Sequence, residues 1–325
     1  MKTLATILTA SRPTLRDDYL YLEENHVMHN KTLTLVFDVD SLAEDAVITL
    51  GHGEAVYGGS SAELTKTHIR TYNSLASRVE TLNVPHGLTV KGTVRLTVTT
   101  GNSVATVQIE TDDGTYDSHQ VTWFGRNGTI YAKSTGATLT NVQMTWTCSE
   151  YAHDIWLLGD SYFNVTTDAR WPYYLHRDGY TQNFLAGYPG RASKSAIADF
   201  KRALTHGIPK YAVWCMGMND SDGESTINAN WKATADEFLT LCRENNIIPI
   251  LSTIPNVPNR IHLFKNDYVR ASGCRYIDFA AAVDAAEKAA PWTAGTLSPD
   301  LVHPSPTGAY ALYSQVLRDF PEIKM

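Results

Sequence analysis

Asp154-Ile155-Trp156-Leu157-Leu158-Gly159-Asp160-Ser161 is the stretch that decides how this chain folds. Its short apolar run, Ile155 to Leu158, reads as a strand buried on both faces. Gly159 permits a tight bend directly after it. Ser161 then presents a hydroxyl at the C-terminal edge of a sheet, the edge at which open α/β folds bind their ligands. Taken alone, Gly-Asp-Ser is weak evidence, because such tripeptides more often form ordinary turns.

Downstream of this strand the periodicity alternates. Apolar runs at 211–215, 247–251 and 275–279 are separated by stretches of helical spacing. Residues 193–204 form one such stretch, and Trp231, Ala235, Phe238 and Cys242 recur at helical intervals in another. Pro304-Ser305-Pro306-Thr307 opens a last helix, with Ser305 as its cap and Pro306 in its first turn. This is βα alternation with a mostly parallel sheet.

Upstream the pattern is β throughout. Strands are expected at 32–39, 46–50, 68–72, 94–99, 104–110, 120–124, 129–133 and 142–148, where Thr, Val, Ile and aromatic residues alternate with polar ones. Many short strands and few helical stretches predict a two-sheet, jelly-roll-like sandwich. The chain of 325 residues thus divides into an all-β domain at 1–150 and an α/β domain at 151–325.

Bulk properties exclude several classes. A net charge of −7 lacks the basic stripe that a phosphate-backbone binder needs. No apolar run approaches the roughly 20 residues of a membrane-spanning helix. The opening Met1–Ala10 is interrupted by threonines and reads as an ordinary N-terminus rather than a clear signal peptide. Cys148, Cys215, Cys242 and Cys274 form no CxxC pair and read as free thiols rather than metal ligands or disulfides. His153, His176, His206 and His262 are scattered and read as surface or hydrogen-bonded side chains. Asp220-Ser221-Asp222-Gly223-Glu224 lacks the ligand spacing of a calcium loop. No metal or cofactor is called for.

Four segments carry candidate chemistry. Ser161 is a nucleophile if a base takes its proton. Asp300 and His303, three residues apart in a proline-stiffened loop, supply such a base and a carboxylate to orient it. An ordinary capping loop is the equal alternative. Asn219, after the strand at 211–215, has a side-chain NH2 that suits an oxyanion donor, or else simply bonds its own backbone in a turn. Gly187-Tyr188-Pro189-Gly190-Arg191-Ala192-Ser193 precedes a helix, and a backbone N–H near Gly190 either faces the same oxyanion or belongs to a plain helix-start turn.

In that order, the four segments resemble the sequence blocks of the SGNH (GDSL-type) hydrolase family, over residues 153–321. The resemblance implies a three-layer α/β/α fold of flavodoxin-like character. It implies Ser161 as nucleophile, Asp300 and His303 as the rest of the triad, and Gly190 and Asn219 joining the Ser161 amide in the oxyanion hole. Two departures stand out. The first block reads Gly-Asp-Ser-Tyr, and the glycine block is unusual enough that Gly187 competes with Gly190. Asp160 orders the nucleophile loop rather than serving as triad acid. A β domain ahead of such a fold resembles carbohydrate esterases that remove acetyl groups, which makes an acetylated oligo- or polysaccharide the expected partner. It also favours a secreted or periplasmic setting. The alternatives are a lysophospholipase or thioesterase, and a catalytically silent carbohydrate-binding protein. Aromatic residues near the site, Tyr162, Phe163, Trp171, Tyr173, Tyr174 and Trp292, suit either sugar stacking or core packing.

Overall fold

The structure is a computed structural model that describes residues 6–25, 31–53, 59–74, 78–100, 104–122, 128–163, 167–187, 190–220, 224–258, 260–285 and 292–325. It comprises two compact units, Met1–Glu150 and Tyr151–Met325.

The first unit is built on two long strands, β3 (Lys31–His52) and β10 (Gly128–Cys148), paired antiparallel along their lengths. The other strands are β1 (Thr6–Arg16), β2 (Tyr19–Asn25), β4 (Ser60–Thr65), β5 (His68–Ser74), β6 (Arg78–Pro85), β7 (Gly92–Thr100), β8 (Val104–Thr111) and β9 (Tyr116–Thr122). On one wing, residues 31–39 of β3 pair with β7, which continues to β8 and β9, and β1 flanks β10. On the other, residues 47–52 pair with β4, which continues to β5 and β6, and β2 flanks β10. The expected pair of separate sheets is therefore corrected. Among the described residues, the ten strands are hydrogen-bonded into one sheet that forks, because β3 and β10 run through both wings.

The sequence reading split each long strand in two for a physical reason. Along β10 the buried positions run 130, 132, 134, then 137, 139, then 142, 144, 146, 148. Each change of parity coincides with a shift in register against β3 and with a left-handed residue, Gly136 (φ 67°) and Asn141 (φ 50°). Bulges of this kind re-aim the side chains while the strand continues. Strands β1, β2, β4 and β6 were not anticipated. The part of the expected strand 120–124 beyond residue 122 lies outside the described residues.

The second unit holds five parallel strands: β11 (Ile155–Gly159), β12 (Asn183–Gly187), β13 (Tyr211–Trp214), β14 (Ile248–Ser252) and β15 (Arg275–Ile277). Their order is β12-β11-β13-β14-β15, the strand order of flavodoxin-like sheets. Strand β12 was not anticipated, and the apolar run at 275–279 passes from β15 into a short helix. The helices are α1 (Trp171–Arg177), α2 (Ser193–Leu204), α3 (Glu224–Glu244), α4 (Leu263–Ala271), α5 (Phe279–Ala282) and α6 (Pro306–Asp319). Helix α3 packs on α2 and α4, and α6 packs on α1 and α5. Ser305 caps α6 by accepting from Gly308 N–H at 3.1 Å, as its sequence predicts.

Both faces of β11 are covered. Ile155 and Leu157 belong to a core with Trp171, Leu175, Leu312 and Val316. The Trp156 ring meets Phe184 and Phe200 edge-on. Burial of each such side chain contributes roughly 1.5–3 kcal/mol, enough to fix the strand whose C-terminal end carries Ser161. All four cysteines are free.

Candidate functional site

Ser161, Gly190 and Asn219 follow the C-terminal ends of three adjacent strands, β11, β12 and β13. This is the edge, and β11/β13 the switch point, where doubly wound sheets bind ligands. The bend after β11 depends on glycine. A Cβ on Gly159 would lie 2.0 Å from the Phe163 ring, and one on Gly187 would lie 2.3 Å from Phe163 Cβ. The two strand ends close over Phe163, which turns the chain at Asp160 and lifts Ser161 out of the core.

His303 Nε2 lies 2.8 Å from Ser161 Oγ, and His303 Nδ1 lies 2.6 Å from Asp300 Oδ2. Asp300 Oδ1 accepts from the N–H groups of Val302 and His303, each at 2.9 Å, and from Ser298 Oγ–H at 2.5 Å. Burial works to raise the Asp300 carboxyl, but these hydrogen bonds outweigh it and hold the group well below the usual carboxylate range. The loop closes on itself through Ser298 N–H to His303 O (2.9 Å) and Leu301 N–H to Ser298 O (3.0 Å). That closure places Leu301 in the left-handed region at φ 59°, a conformation that costs about 1–2 kcal/mol for a residue with a Cβ. The imidazole is thus held between the carboxylate and the hydroxyl by backbone geometry. The site is open: the side chains of Asp300 and His303 are 52% and 25% exposed.

Residues to which the sequence assigned no catalytic role hold this arrangement. Tyr162 donates from its hydroxyl to Val302 O at 2.6 Å, tying the serine loop to the histidine loop. Burial raises that phenol well above its ordinary range, so it remains a donor. Arg170 Nε–H donates to Ser161 O at 2.5 Å. Ser298, Tyr162 and Arg170 carry no spacing signal; their roles arise from contacts between distant loops. Tyr162, Phe163, Trp171, Tyr174 and Trp292 are buried, which answers the aromatic question in favour of packing for these five.

Asn219 Nδ2 donates to Arg191 O at 3.2 Å, and its Oδ1 accepts from Arg260 at 3.3 Å. The amide is therefore clamped on both sides. Gly190 has φ 75°, a turn that favours glycine, and a Cβ there would meet nothing within 4 Å. Among the described residues no acceptor takes the N–H of Ser161 or of Gly190. Gly187, in contrast, is held inside β12 by parallel pairing with Gly159. Tyr188 and Pro189 lie outside the described residues. Asp220 accepts from Ser193 N–H at 3.2 Å and from Ser193 Oγ–H at 2.5 Å, bracing the start of α2; residues 221–223 of that run are not described.

Asp160 is almost fully buried and accepts from Tyr162 N–H at 3.1 Å. Burial raises its carboxyl to about 7; the Tyr162 N–H opposes the rise, and the Asp220 charge adds to it. His262 takes the hydrogen-bonded alternative: it is buried with Nδ1 3.4 Å from Lys265 Nζ, and its pKa is depressed to about 3 by burial with Lys265 and Arg260 nearby. Among the described residues no group of His, Cys, Asp or Glu could hold a metal ion, and no helix is long and apolar enough to cross a membrane.

No protein family and no curated protein matches the chain by sequence. Among solved structures it is similar to TesA (19% identity, TM-score 0.40, covering 52% of this chain and 98% of that one). It is also similar to Axe2, an acetylxylan esterase from Geobacillus stearothermophilus (18%, 0.39, 51% and 92%). A third is a GDSL-like lipase from Bacteroides thetaiotaomicron (16%, 0.39, 52% and 87%).

Proposed function

We propose that this chain is a serine esterase of the SGNH type that removes short acyl groups, O-acetyl above all, from a carbohydrate. The observation that carries the reading is the continuous relay from Ser161 Oγ through the His303 ring to Asp300, at 2.8 and 2.6 Å. Under it, the helix groups α2–α3–α4 and α1–α5–α6 are the outer layers of a three-layer α/β/α sandwich. The unit at 151–325 is the hydrolase domain, and the unit at 1–150 is its accessory β domain.

In the mechanism, Ser161 Oγ attacks the acyl carbon as His303 Nε2 takes its proton. Asp300 accepts the Nδ1–H bond, fixes the tautomer and stabilises the imidazolium. The oxyanion is bound by the N–H of Ser161, the N–H of Gly190 and Nδ2 of Asn219; one such donor contributes roughly 3 kcal/mol. The imidazolium protonates the departing sugar alkoxide, leaving acetyl-Ser161. A water then attacks, giving up its proton to His303, and acetate leaves as the serine recovers its proton. Gly190 is preferred to Gly187 because Gly187 is occupied in strand pairing. The open rim around Asp300 and His303 supports a bulky alcohol such as a polysaccharide.

The test is acetate release from a panel of acetylated glycans, with Ser161→Ala as control, alongside p-nitrophenyl esters of increasing chain length. Acetate preferred over octanoate, and abolished in the variant, is the expected result. Octanoate preference favours the lysophospholipase or thioesterase reading. Failure of Ser161 to react with a fluorophosphonate would leave only the silent-site reading.

A further inference from the structure

The solvent face of one wing of the β unit carries a recess of about 460 Å³ whose lining follows from strand register. Residues paired across neighbouring strands share a face. One such row runs Tyr21, Tyr131, Gly51, Ser61, Tyr72. The next runs Tyr19, Lys133, Thr49, Glu63, Arg70. The opposite face of the same strands holds Ile48, Leu50, Leu64, Ile69 and Ile130, all buried, so these two rows form the outer surface.

Ser61 in the first row and Thr49 in the second leave the recess between longer side chains, and rings border it. Tyr131 lies across Gly51, where a Cβ would stand 2.5 Å from the ring. The ring is thereby laid against the sheet as a floor rather than standing out from it. Tyr19 and Tyr21 stack parallel, with centroids 5.3 Å apart, at one end, and Tyr72, its ring covered by the Arg78 guanidinium at 3.6 Å, closes the other. At ~4.8 Å between strands, Tyr131 and Tyr72 are about 14 Å apart across the sheet, the span of a short oligosaccharide.

The charge of this surface opposes that of the chain. Among the described lining residues, Arg70, Arg78 and Lys133 accompany one carboxylate, Glu63, in a protein of net charge −7. Glu63 pairs with Arg78 and lies 3.8 Å from Arg70 Nε, which is buried without a hydrogen-bond partner. Lys133 makes no ion pair among the described residues and sits 5.0 Å over the Tyr19 ring. Aromatic faces take the apolar faces of sugar rings, and a cation without an ion pair, here Lys133, takes a carboxylate.

We propose that this recess binds an oligosaccharide bearing carboxylates, of the uronic-acid class, independently of the catalytic site. A sugar ring stacks on the tyrosine cluster of Tyr19, Tyr21 and Tyr131, and a carboxylate reaches Lys133. The test uses the full chain carrying Ser161→Ala, so that the outcome does not depend on whether the chain is an esterase. Hexagalacturonate and the neutral xylohexaose are titrated calorimetrically. Hexagalacturonate is expected to bind at least about tenfold more tightly than xylohexaose. Tyr19→Ala and Lys133→Gln, both at the surface and checked for an unchanged melting curve, each weaken it by about tenfold. No binding of hexagalacturonate, equal affinity for the two sugars, or affinity indifferent to both substitutions overturns the proposal.

Discussion

Replacing Asp160 with asparagine isolates a buried charge next to the candidate nucleophile. Asp160 is 3% exposed, and its carboxyl is raised from 3.8 to about 7, with burial the largest cause. In the unfolded chain the group ionises near its ordinary value. Between about pH 4 and 7 the folded state therefore holds a proton that the unfolded state has released. Stability rises with pH only where the unfolded state binds more protons, so here it falls. The rise in pKa corresponds to about 4 kcal/mol lost across that window, with no further loss above it. Asparagine keeps a carbonyl to accept from Tyr162 N–H and has no proton to lose. Urea unfolding of wild type and Asp160→Asn at a series of pH values gives the variant-minus-wild-type difference, in which every other group cancels. That difference should grow by about 4 kcal/mol from pH 4 to 7.5 and then level off. A flat difference, or one that grows in favour of wild type, would refute the account of Asp160 as a desolvated acid.

Asn219→Ala should lower kcat by about 10²–10³-fold with little change in KM, because the donor acts on charge that develops only in the transition state; steady-state kinetics on p-nitrophenyl acetate reads this. Tyr162→Phe removes one hydrogen bond between the serine and histidine loops, so kcat should drop by about five- to tenfold with the melting temperature nearly kept. Gly187→Ala drives a methyl into Phe163 Cβ, with the Asp160 carbonyl 3.2 Å away. It should cost about 1–3 kcal/mol in thermal unfolding, and a variant as stable as wild type would contradict the packing described.

Ser161, Asp300 and His303 stand out in the sequence because each adjoins turn chemistry: Gly159 before the serine, prolines around the other two. Their meeting within hydrogen-bond distance is a property of the sheet order, which no local pattern encodes. Helix α2 was legible to its ends because its apolar spacing is regular. Strand β12 was not, since Asn183-Phe184-Leu185-Ala186-Gly187 begins polar, ends in glycine and is short. In β3 and β10 the alternation breaks where the strand bulges, and a break in period reads as an end. The opening Met1–Ala10 reads only as an ordinary N-terminus, because its threonines interrupt the apolar pattern; from Thr6 onward it belongs to β1, paired along β10. Tyr162, Arg170 and Ser298 could not be read, because their partners are set by the tertiary approach of loops.

The two shared strands also govern how the β unit comes apart. Lys31 pairs with Cys148 and His52 with Ile130, so contacts distant in the chain run the whole length of β3 and β10. Such contacts form slowly, since closure of the long intervening segment precedes their gain. Neither wing has a private scaffold: unzipping β3 from β10 dismantles both at once. The unit should therefore melt in one step, and a truncation that removes either long strand should leave no folded remnant.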